Sequence, residues 1–435
     1  MGGEANWDTL PEQLLDLAKQ TGAEAAEVFQ SSSSARPVYF EANRLKQLES
    51  NQLEGTALRL WREGRPGIAV AHGPITPQAL VDKAIAISQL NDPEAIELSR
   101  GTAQQYPDVG VEVPVTQMIN WGESVIAQIR DRYPEVICEA ELECDIETTR
   151  LVNSLGIDYG YHDTTLSSYL GVEWVRGDDF LTVSDGQVCR DALSPEALAQ
   201  QVLMRLDWAD RNVAPTVGRV PVLFTAKAAD TLWGAVQAAL SGKRVLEGSS
   251  PWSDRIGEQV TSEALTLYQD PDDGPFSCPF DDEGTQTQKL ILIERGVLRL
   301  FYTDRTVGKE LGDGSTGNGF RPGLGSAPTP GLFNTLVQPG SATFEELVKT
   351  LDDAIVVDQI LGETAGISGD FSINVDLGYR VKQGEIQGRV KDTMVSGNVY
   401  TALLQLAALG QDADWNGACY TPSVLLSGLS VTGRG

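Results

Sequence analysis

Two histidines, five cysteines, two acidic runs and one glycine-rich hexapeptide are the residues of this chain whose types and spacing could do chemistry. A protein zinc site takes three or four ligands from His, Cys, Asp and Glu, commonly with two of them close in sequence. Neither His72 nor His162 has a second His or a Cys at that spacing. His72 stands beside Gly73-Pro74 at a turn and His162 among Tyr159, Tyr161 and Tyr169, so both read as structural or surface residues. So little imidazole also argues against a Ser-His-Asp or Cys-His hydrolase. Cys138, Cys144, Cys189, Cys278 and Cys419 form no CxxC pair and read as reduced, inert thiols. The runs Asp270-Pro271-Asp272-Asp273-Gly274 and Asp281-Asp282-Glu283-Gly284 carry oxygen ligands for a hard cation but lack EF-hand spacing. Solvated turns before strands are the expected reading of both. A G-x-G-x-x-G occurs at Gly312-Asp313-Gly314-Ser315-Thr316-Gly317. A dinucleotide site needs a hydrophobic strand before that motif and a helix after it. Here the polar stretch Thr306–Leu311 precedes it and Asn318-Gly319-Phe320-Arg321-Pro322 follows, so it reads as a surface loop. Its backbone amides could still meet an extended peptide or an anion. The residues alone show no catalytic engine.

The elements that would position these residues are mixed. An amphipathic helix runs from Trp7 to about Thr21, followed by strand-like runs at Glu27–Phe29, Val38–Phe40 and Ala57–Trp61. The turn Glu63–Gly67 joins the last of these to Ile68-Ala69-Val70 as a hairpin. Thr76-Pro77 starts a helix with Thr as N-cap, and a second helix spans about Thr116–Tyr133. From Val136 to Arg190 the pattern is strand-like again. In Cys138–Cys144 apolar and acidic residues alternate strictly, which predicts one wet, acidic face. Ser194-Pro195 caps a helix to about Asp210, and Asp210–Thr216 is the linker candidate. Beyond it, Val220–Phe224 reads as a buried strand, Thr225 caps a helix to Leu240, and Lys289–Glu294, Gly296–Tyr302, Phe371–Asp376, Tyr379–Lys382 and Val424–Leu426 read as strands. Thr343-Phe344-Glu345-Glu346 is a capping box, and a last helix covers about Val399–Leu409. Helices mixed with hairpins, without regular βαβ alternation, indicate an α+β fold. At 435 residues two domains are expected, 1–212 and 213–435.

Thirty-three basic against sixty-one acidic residues give a formal net charge of −28. A field of that sign opposes nucleic-acid binding, and no basic run reaches four residues, the nearest to a cluster being the pair Lys243-Arg244. No run of about 18 apolar residues could span a membrane, and the N-terminal residues have neither a basic nor an apolar signal region. A cytoplasmic protein is expected.

The second half resembles the TldD/PmbA (TldD/TldE) metalloprotease family, long described as modulators of DNA gyrase. Pro279-Phe280-Asp281-Asp282-Glu283-Gly284-Thr285 with the hairpin Leu290–Tyr302 looks like the family's F-D-D-E-G entry and its I-x-x-G-V-L return. Lys309-Glu310-Leu311-Gly312 with Ser315-Thr316-Gly317-Asn318 looks like the L-G-x-x-S-T-G-N loop. Gly362-Glu363, Ser368-Gly369-Asp370-Phe371-Ser372, Gly378-Tyr379 and Gly384-Glu385-Ile386 are similar to the G-D-F-S and G-Y-x-x-x-x-G-E-I segment. Ser396-Gly397-Asn398 and Thr421-Pro422-Ser423 complete it; in the first half, Gly55–Arg59 and Val152–Gly156 are similar to family segments too.

TldD-type members carry H-E-x-x-x-H on a helix before Leu-Glu-Gly, two imidazoles for Zn²⁺ and a glutamate for its water. Here Leu246-Glu247-Gly248 survives, but Ala239, Leu240 and Arg244 stand where His, Glu and His would, and no histidine follows His162. Methyl, isobutyl and guanidinium groups do not ligate zinc. Ser241-Gly242-Lys243-Arg244 with Ser249-Ser250 looks like the PmbA/TldE-type subunit. The resemblance therefore implies no catalytic or metal-binding residue and no cofactor in this chain, with zinc only in a TldD-type partner subunit. It implies a role in proteolysis of unfolded or modified peptides, in leader-peptide removal and in antitoxin degradation. By family position, Lys243, Arg244, Phe280, Asp281, Asp282, Glu283, Ser315, Thr316, Asn318, Ser368, Asp370, Phe371 and Ser372 are the candidates for a substrate groove or interface. Two rivals stand beside this: a peptidase in its own right with a metal held by Asp, Glu and Cys, and a homodimeric peptide-binding module.

Overall fold

The computed structural model describes residues 7–276, 278–362 and 365–433; Glu363 of the Gly362-Glu363 pair lies outside the described residues. In chain order the first half comprises α1 (Leu10–Gln20), β1 (Ala25–Ala35), β2 (Val38–Glu41), β3 (Arg44–Leu48), β4 (Asn51–Arg62), β5 (Arg65–His72), α2 (Pro77–Ser88), β6 (Ala103–Gln105), α3 (Val115–Arg132), β7 (Ile137–Asn153), β8 (Asp158–Arg176), β9 (Asp179–Cys189) and α4 (Pro195–Trp208). The second continues with β10 (Gly218–Phe224), α5 (Ala226–Ala229), α6 (Trp233–Leu240), α7 (Gly242–Leu246), β11 (Leu267–Gln269), β12 (Leu290–Glu294), β13 (Val297–Leu298), α8 (Arg305–Leu311), β14 (Gly319–Phe320), β15 (Thr329–Pro330), β16 (Thr335–Val337) and α9 (Phe344–Lys349). It ends with β17 (Asp353–Leu361), β18 (Asp370–Lys382), β19 (Glu385–Arg389), β20 (Thr393–Asn398), α10 (Val399–Leu404), β21 (Leu406–Leu409), β22 (Asp414–Asn416), β23 (Cys419–Thr421) and β24 (Val424–Gly433).

The fold is α+β, as expected. The first sheet runs β3-β2-β7-β1-β4-β5, with β8 on the other side of β7 and β9 beyond it. Along β7, Cys138, Ala140, Leu142 and Cys144 are buried while Glu139, Glu141 and Glu143 face outward, so the strict alternation does specify one wet acidic face. In the second half β10 pairs with both β17 and β24, and β17-β18-β20-β24 complete the circuit, so this sheet closes on itself. The period of two then decides two cores at once. Val222, Phe224, Ile355 and Val357 pack with α6 in one cluster. Their neighbours Leu223, Ala354 and Val356 pack with Leu377, Tyr379 and residues of α3, β7, β8, β9 and α4 in another. The second cluster is therefore common to both halves.

Several elements differ from the sequence reading. Thr225–Leu240 is not one helix but α5, a 3₁₀ turn Asp230–Leu232 and α6. Neither Thr225 nor Thr76 makes a side-chain capping bond, although both occupy N-cap positions. Val399–Leu409 ends as a helix at Leu404, and Leu406–Leu409 pairs with β24: cross-strand bonding overrides a run of good helix formers. Phe371–Asp376 and Tyr379–Lys382 belong to one strand, β18. Between the halves, Asp210–Thr216 joins α4 to β10 and is pinned, with Val213 N donating to Arg389 O and Arg389 N to Arg211 O, 2.8 and 2.9 Å.

Candidate functional site

The segment Phe280–Gly284 does not form a solvated turn. Phe280 is 2% exposed, with its ring 5.3–5.4 Å, centroid to centroid, from Tyr106, Tyr159 and Tyr161 of the first half. Ser99 Oγ donates to Glu283 O at 2.5 Å, so the turn is pinned across the junction of the halves. Adjacent carboxylates normally seek water; here backbone donors substitute for it. Asp281 Oδ1 accepts from Glu283 N and Thr285 N at 3.1 and 2.8 Å, and its Oδ2 from Gly319 N at 2.8 Å. Asp282 Oδ2 accepts from Arg321 N at 2.6 Å, and Glu283 Oε2 from Arg305 N at 2.8 Å. Burial nonetheless prevails over these donors. It pushes the carboxyl of Asp281 up to about 7, that of Asp282 to about 6 and that of Glu283 to about 8, the last with help from Asp281. Next to them, Arg321 pairs with Glu27 of β1 at 2.7 Å, both side chains under 5% exposed. No local pattern marks that pair in the sequence, because its members are far apart along the chain.

The C-terminal end of the glycine-rich hexapeptide lies against Gln286 and Thr287, just after this turn. The polar stretch before it is α8, capped by Asp304, whose Oδ1 accepts from Val307 N at 2.7 Å, and terminated by Gly312 in the left-handed conformation. Both signals were present in the sequence. Gly317 has φ +79° and would place a Cβ 2.5 Å from Gln286 O, so only glycine fits there. Thr316 Oγ1 donates to Thr303 O at 3.0 Å, and Ser315 Oγ accepts from Gly317 N at 3.1 Å. Asn318 is fully buried and donates to Gln269 Oε1 and Gly331 O at 2.6 and 2.8 Å. The expected surface loop is exposed at Gly312–Gly314 and tied to the interior at its C-terminal end.

Helix α7 abuts α8. Tyr302 N donates to Leu240 O and Gly242 N to Tyr302 O, 3.1 and 3.0 Å, which fixes the bend between α6 and α7. Lys243 and Arg244 are exposed there, Arg244 pairing with Glu247 at 2.9 Å. Asp281, Asp282, Glu283, Ser315, Thr316 and Asn318 therefore form one cluster, with Lys243 and Arg244 on its border. Ser368, Asp370, Phe371 and Ser372 form a separate one around Asn398, whose Nδ2 donates to Ser368 O and Asp370 Oδ1 at 2.9 and 3.0 Å. Ser368, Asp370 and Ser372 are exposed, whereas Phe371 points into the core.

The positions that the resemblance sets against the zinc motif do not fit a metal. Ala239 and Leu240 are fully buried in the core beside Trp233, and the Arg244 guanidinium is engaged outside it. Burial pushes the Cys419 thiol up to about 12, so it stays protonated at neutral pH. His72 is exposed, and the exposed His162 bonds Thr148 Oγ1 through Nδ1 at 2.8 Å. Among the described residues, no three His, Cys, Asp or Glu side chains converge as a metal site requires.

A closed sheet packs on a long-stranded first half, with a buried F-D-D-E-G turn at their junction. The model of the PmbA/TldA metallopeptidase C-terminal domain matches residues 217–433, and that of PmbA/TldA metallopeptidase domain 1 matches residues 26–88. The chain belongs to the PmbA/TldD family. A metalloprotease of Archaeoglobus fulgidus is 31% identical over 326 residues, 74% of this chain and 71% of that protein. Metalloprotease PmbA of Escherichia coli O157:H7 is 23% identical over 441 residues, 95% of this chain and 93% of that one. The crystal structure of TldE from Thermococcus kodakarensis superposes with a TM-score of 0.88 at 22% identity, covering 98% of this chain and all of that one. A Thermotoga maritima protein named for modulation of a DNA gyrase gives 0.86 at 23% identity, covering 98% and 100%. Among the described residues no helix is long and apolar enough to cross a membrane.

Proposed function

We propose that this chain is the PmbA/TldE-like, non-catalytic subunit of a TldD-type zinc metalloprotease acting on unfolded or modified peptides. The observation that carries this reading is the α6–α7 bend. Where hydrolysis would need two imidazoles and a carboxylate, the chain has two buried apolar side chains and an ion-paired arginine. The chain itself then supplies no Lewis acid and no activated water, and no hydrolytic step is assigned to its residues. Its contribution is to complete the substrate chamber and to hold an extended peptide by strand addition, backbone to backbone. The Phe280–Gly284 turn and the Ser315–Asn318 loop form the rigid part of that wall; Lys243, Arg244, Ser368, Asp370 and Ser372 are the exposed groups offered to peptide or partner.

Mixing the purified chain with a TldD-type protein tests this. A stable heteromer that cleaves a labelled unfolded peptide faster than the TldD-type protein alone is expected, with zinc only in the partner. Absence of both complex and rate change refutes the subunit role. Stoichiometric zinc in the isolated chain, with chelator-sensitive peptide hydrolysis, would instead establish a peptidase in its own right. A peptide-binding homodimer that ignores the partner would establish the module reading.

A further inference from the structure

Strands β3, β5, β6 and β9 bound the first sheet. An edge strand offers main-chain N–H and C=O groups to any further strand, and proteins guard such edges with charge, shortness or covering side chains. Strand β3 is guarded by charge, with Arg44 and Lys46 among its five exposed residues. Strand β6 is only three residues long. Strand β9 is covered by side chains of the second half: Gln359 Oε1 accepts from Ser184 N at 3.1 Å, and Arg389 Nη1 donates to Phe180 O at 2.9 Å. Strand β5 has none of these guards. Beyond Pro66 it reads Gly67-Ile68-Ala69-Val70-Ala71-His72, without an acid, a lysine or an arginine. It pairs with β4 in an unbroken register, from Arg65 opposite Arg62 to His72 opposite Gly55.

One bond fixes which way the main chain of β5 faces. Gly73 N donates to Glu54 O at 3.0 Å, one step beyond the pair His72 and Gly55. Bonded and non-bonded pairs alternate along an antiparallel ladder. Arg65, Gly67, Ala69 and Ala71 therefore bond to β4, while Pro66, Ile68, Val70 and His72 turn their main-chain groups outward. Pro66 has no N–H, and its O accepts from Asn91 Nδ2 at 2.8 Å. The outward N–H and C=O groups of Ile68, Val70 and His72 have no hydrogen-bond partner among the described residues. Ile68 and Val70 are half-buried and His72 is exposed. These three residues line about 14 Å of open edge.

The edge is flanked on both faces of the sheet. On one, α2 packs so closely that a Cβ at Gly67 would lie 2.0 Å from Ala84 O. On the other, Gly325 approaches Val70, and Leu324 lies against Gly55 beside His72. A cavity of about 330 Å³ opens at the His72 end, lined by apolar Leu53 and Leu324 and by the hydroxyls of Ser31, Ser33 and Thr149. We propose that the open edge of β5 takes up an extended peptide as an added strand, bonded main chain to main chain through Ile68, Val70 and His72. Its side chains point alternately toward α2 and toward the Leu324 loop, and the one beside His72 enters the cavity. The occupant is an unfolded segment of about five residues or more that keeps its N–H groups, which excludes proline-rich segments. A second copy of this chain is a poorer fit, because five residues of edge bury far less than the roughly 1,200 Å² of a specific protein pair. The site rests on the proposed role in peptide handling and names the strand that carries it.

Fluorescence anisotropy with the intact chain tests the site. The probe is fluorescein-labelled Thr-Val-Ser-Ile-Thr-Val-Gly-amide, beside two isomers N-methylated at one or the other set of alternate residues. Saturable binding of the parent peptide is expected, with a Kd between about 10 µM and 1 mM. Only every second residue of an added strand faces β5, so one isomer should lose about tenfold or more in affinity and the other keep it. Ile68→Pro and His72→Pro each remove one outward N–H without touching the β4 ladder, and each should weaken the parent peptide roughly fivefold. Peptide should also slow hydrogen exchange at the amides of Ile68, Val70 and His72, a readout that needs no variant. No saturable binding up to about 5 mM, equal affinities of the two isomers, unchanged exchange at those three amides, or full affinity in folded His72→Pro would overturn the assignment. So would a dimer of the wild-type chain that His72→Pro abolishes, since the edge would then belong to a second copy. Heteromer formation with a TldD-type protein is scored separately and should survive His72→Pro, so that failure of this site and failure of the subunit role are told apart.

Discussion

Replacing Phe280 by alanine is the most direct test of the junction between the halves. The ring is 2% exposed and touches three tyrosines of the first half at 5.3–5.4 Å between centroids. Each edge or tilted aromatic pair contributes about 0.5–1.5 kcal/mol beyond burial, and Phe→Ala in a packed core costs about 3–5 kcal/mol in total. Because this ring is ringed by aromatic partners that cannot collapse into the space, the upper half of that range is expected. With an unfolding entropy of about 2.1 cal/mol/K per residue, a chain of 435 residues loses about 4–5 °C in Tm. Urea unfolding followed by tryptophan fluorescence measures the free energy, and calorimetry the Tm. Phe280→Leu, which keeps most of the volume, should cost about 1–1.5 kcal/mol. A loss below about 1 kcal/mol for the alanine variant would refute the packing argument. So would a split of the transition in the wild-type chain, since a cluster common to both halves requires them to unfold together.

Other consequences can be checked separately. The folded state keeps protons on Asp281, Asp282 and Glu283 up to about 7, about 6 and about 8, long after the unfolded chain has lost them near pH 4. Their contribution is full below pH 4 and is lost as pH rises through that window, so Tm should be higher at pH 5.5 than at pH 8.5; a flat or rising profile would contradict this. Carboxylates held low, such as Asp179 at about 2, where Lys391, Asn212 and Arg176 overcome burial, act only below pH 4 and leave the comparison intact. Arg321→Leu leaves the buried Glu27 with the more distant Arg59 alone, at 3.8 Å, and should cost up to about 3 kcal/mol, with Glu27→Gln in the same chain recovering part of it; a purely additive double variant would show that the two do not interact. Cys138, Cys144 and Cys278 are buried, and burial raises all three thiols, Cys138 to about 11. Ellman's reagent at pH 8 should label them only at the rate of unfolding, and rapid labelling of these three would disprove their burial.

What the sequence made legible was what is local. The acidic alternation of Cys138–Cys144, the Thr343 capping box and the Ser194 cap are written in neighbouring residues, and the structure has all three. The last helix was overextended because Leu406–Leu409 prefers a helix locally but gains more by pairing with β24. The Asp281–Gly284 run looked solvated because adjacent carboxylates usually are. What buries it comes from Ser99, Gly319 and Arg321, at separations no local pattern encodes. The α8 helix was hidden by its polar composition and internal Gly308, although Asp304 and Gly312 bracket it with ordinary start and stop signals.

The cluster that straddles the halves limits how this molecule can move. Swinging them apart would wet Leu223, Val356, Leu377, Tyr379, Val381 and Leu425 on one side alone, roughly 10 kcal/mol at about 1.5–3 kcal/mol for each side chain. Such an opening would be populated in fewer than about one molecule in a million. The two halves move as one body. Any enclosure of a guest has to be completed by a second body closing over it, not by this one bending.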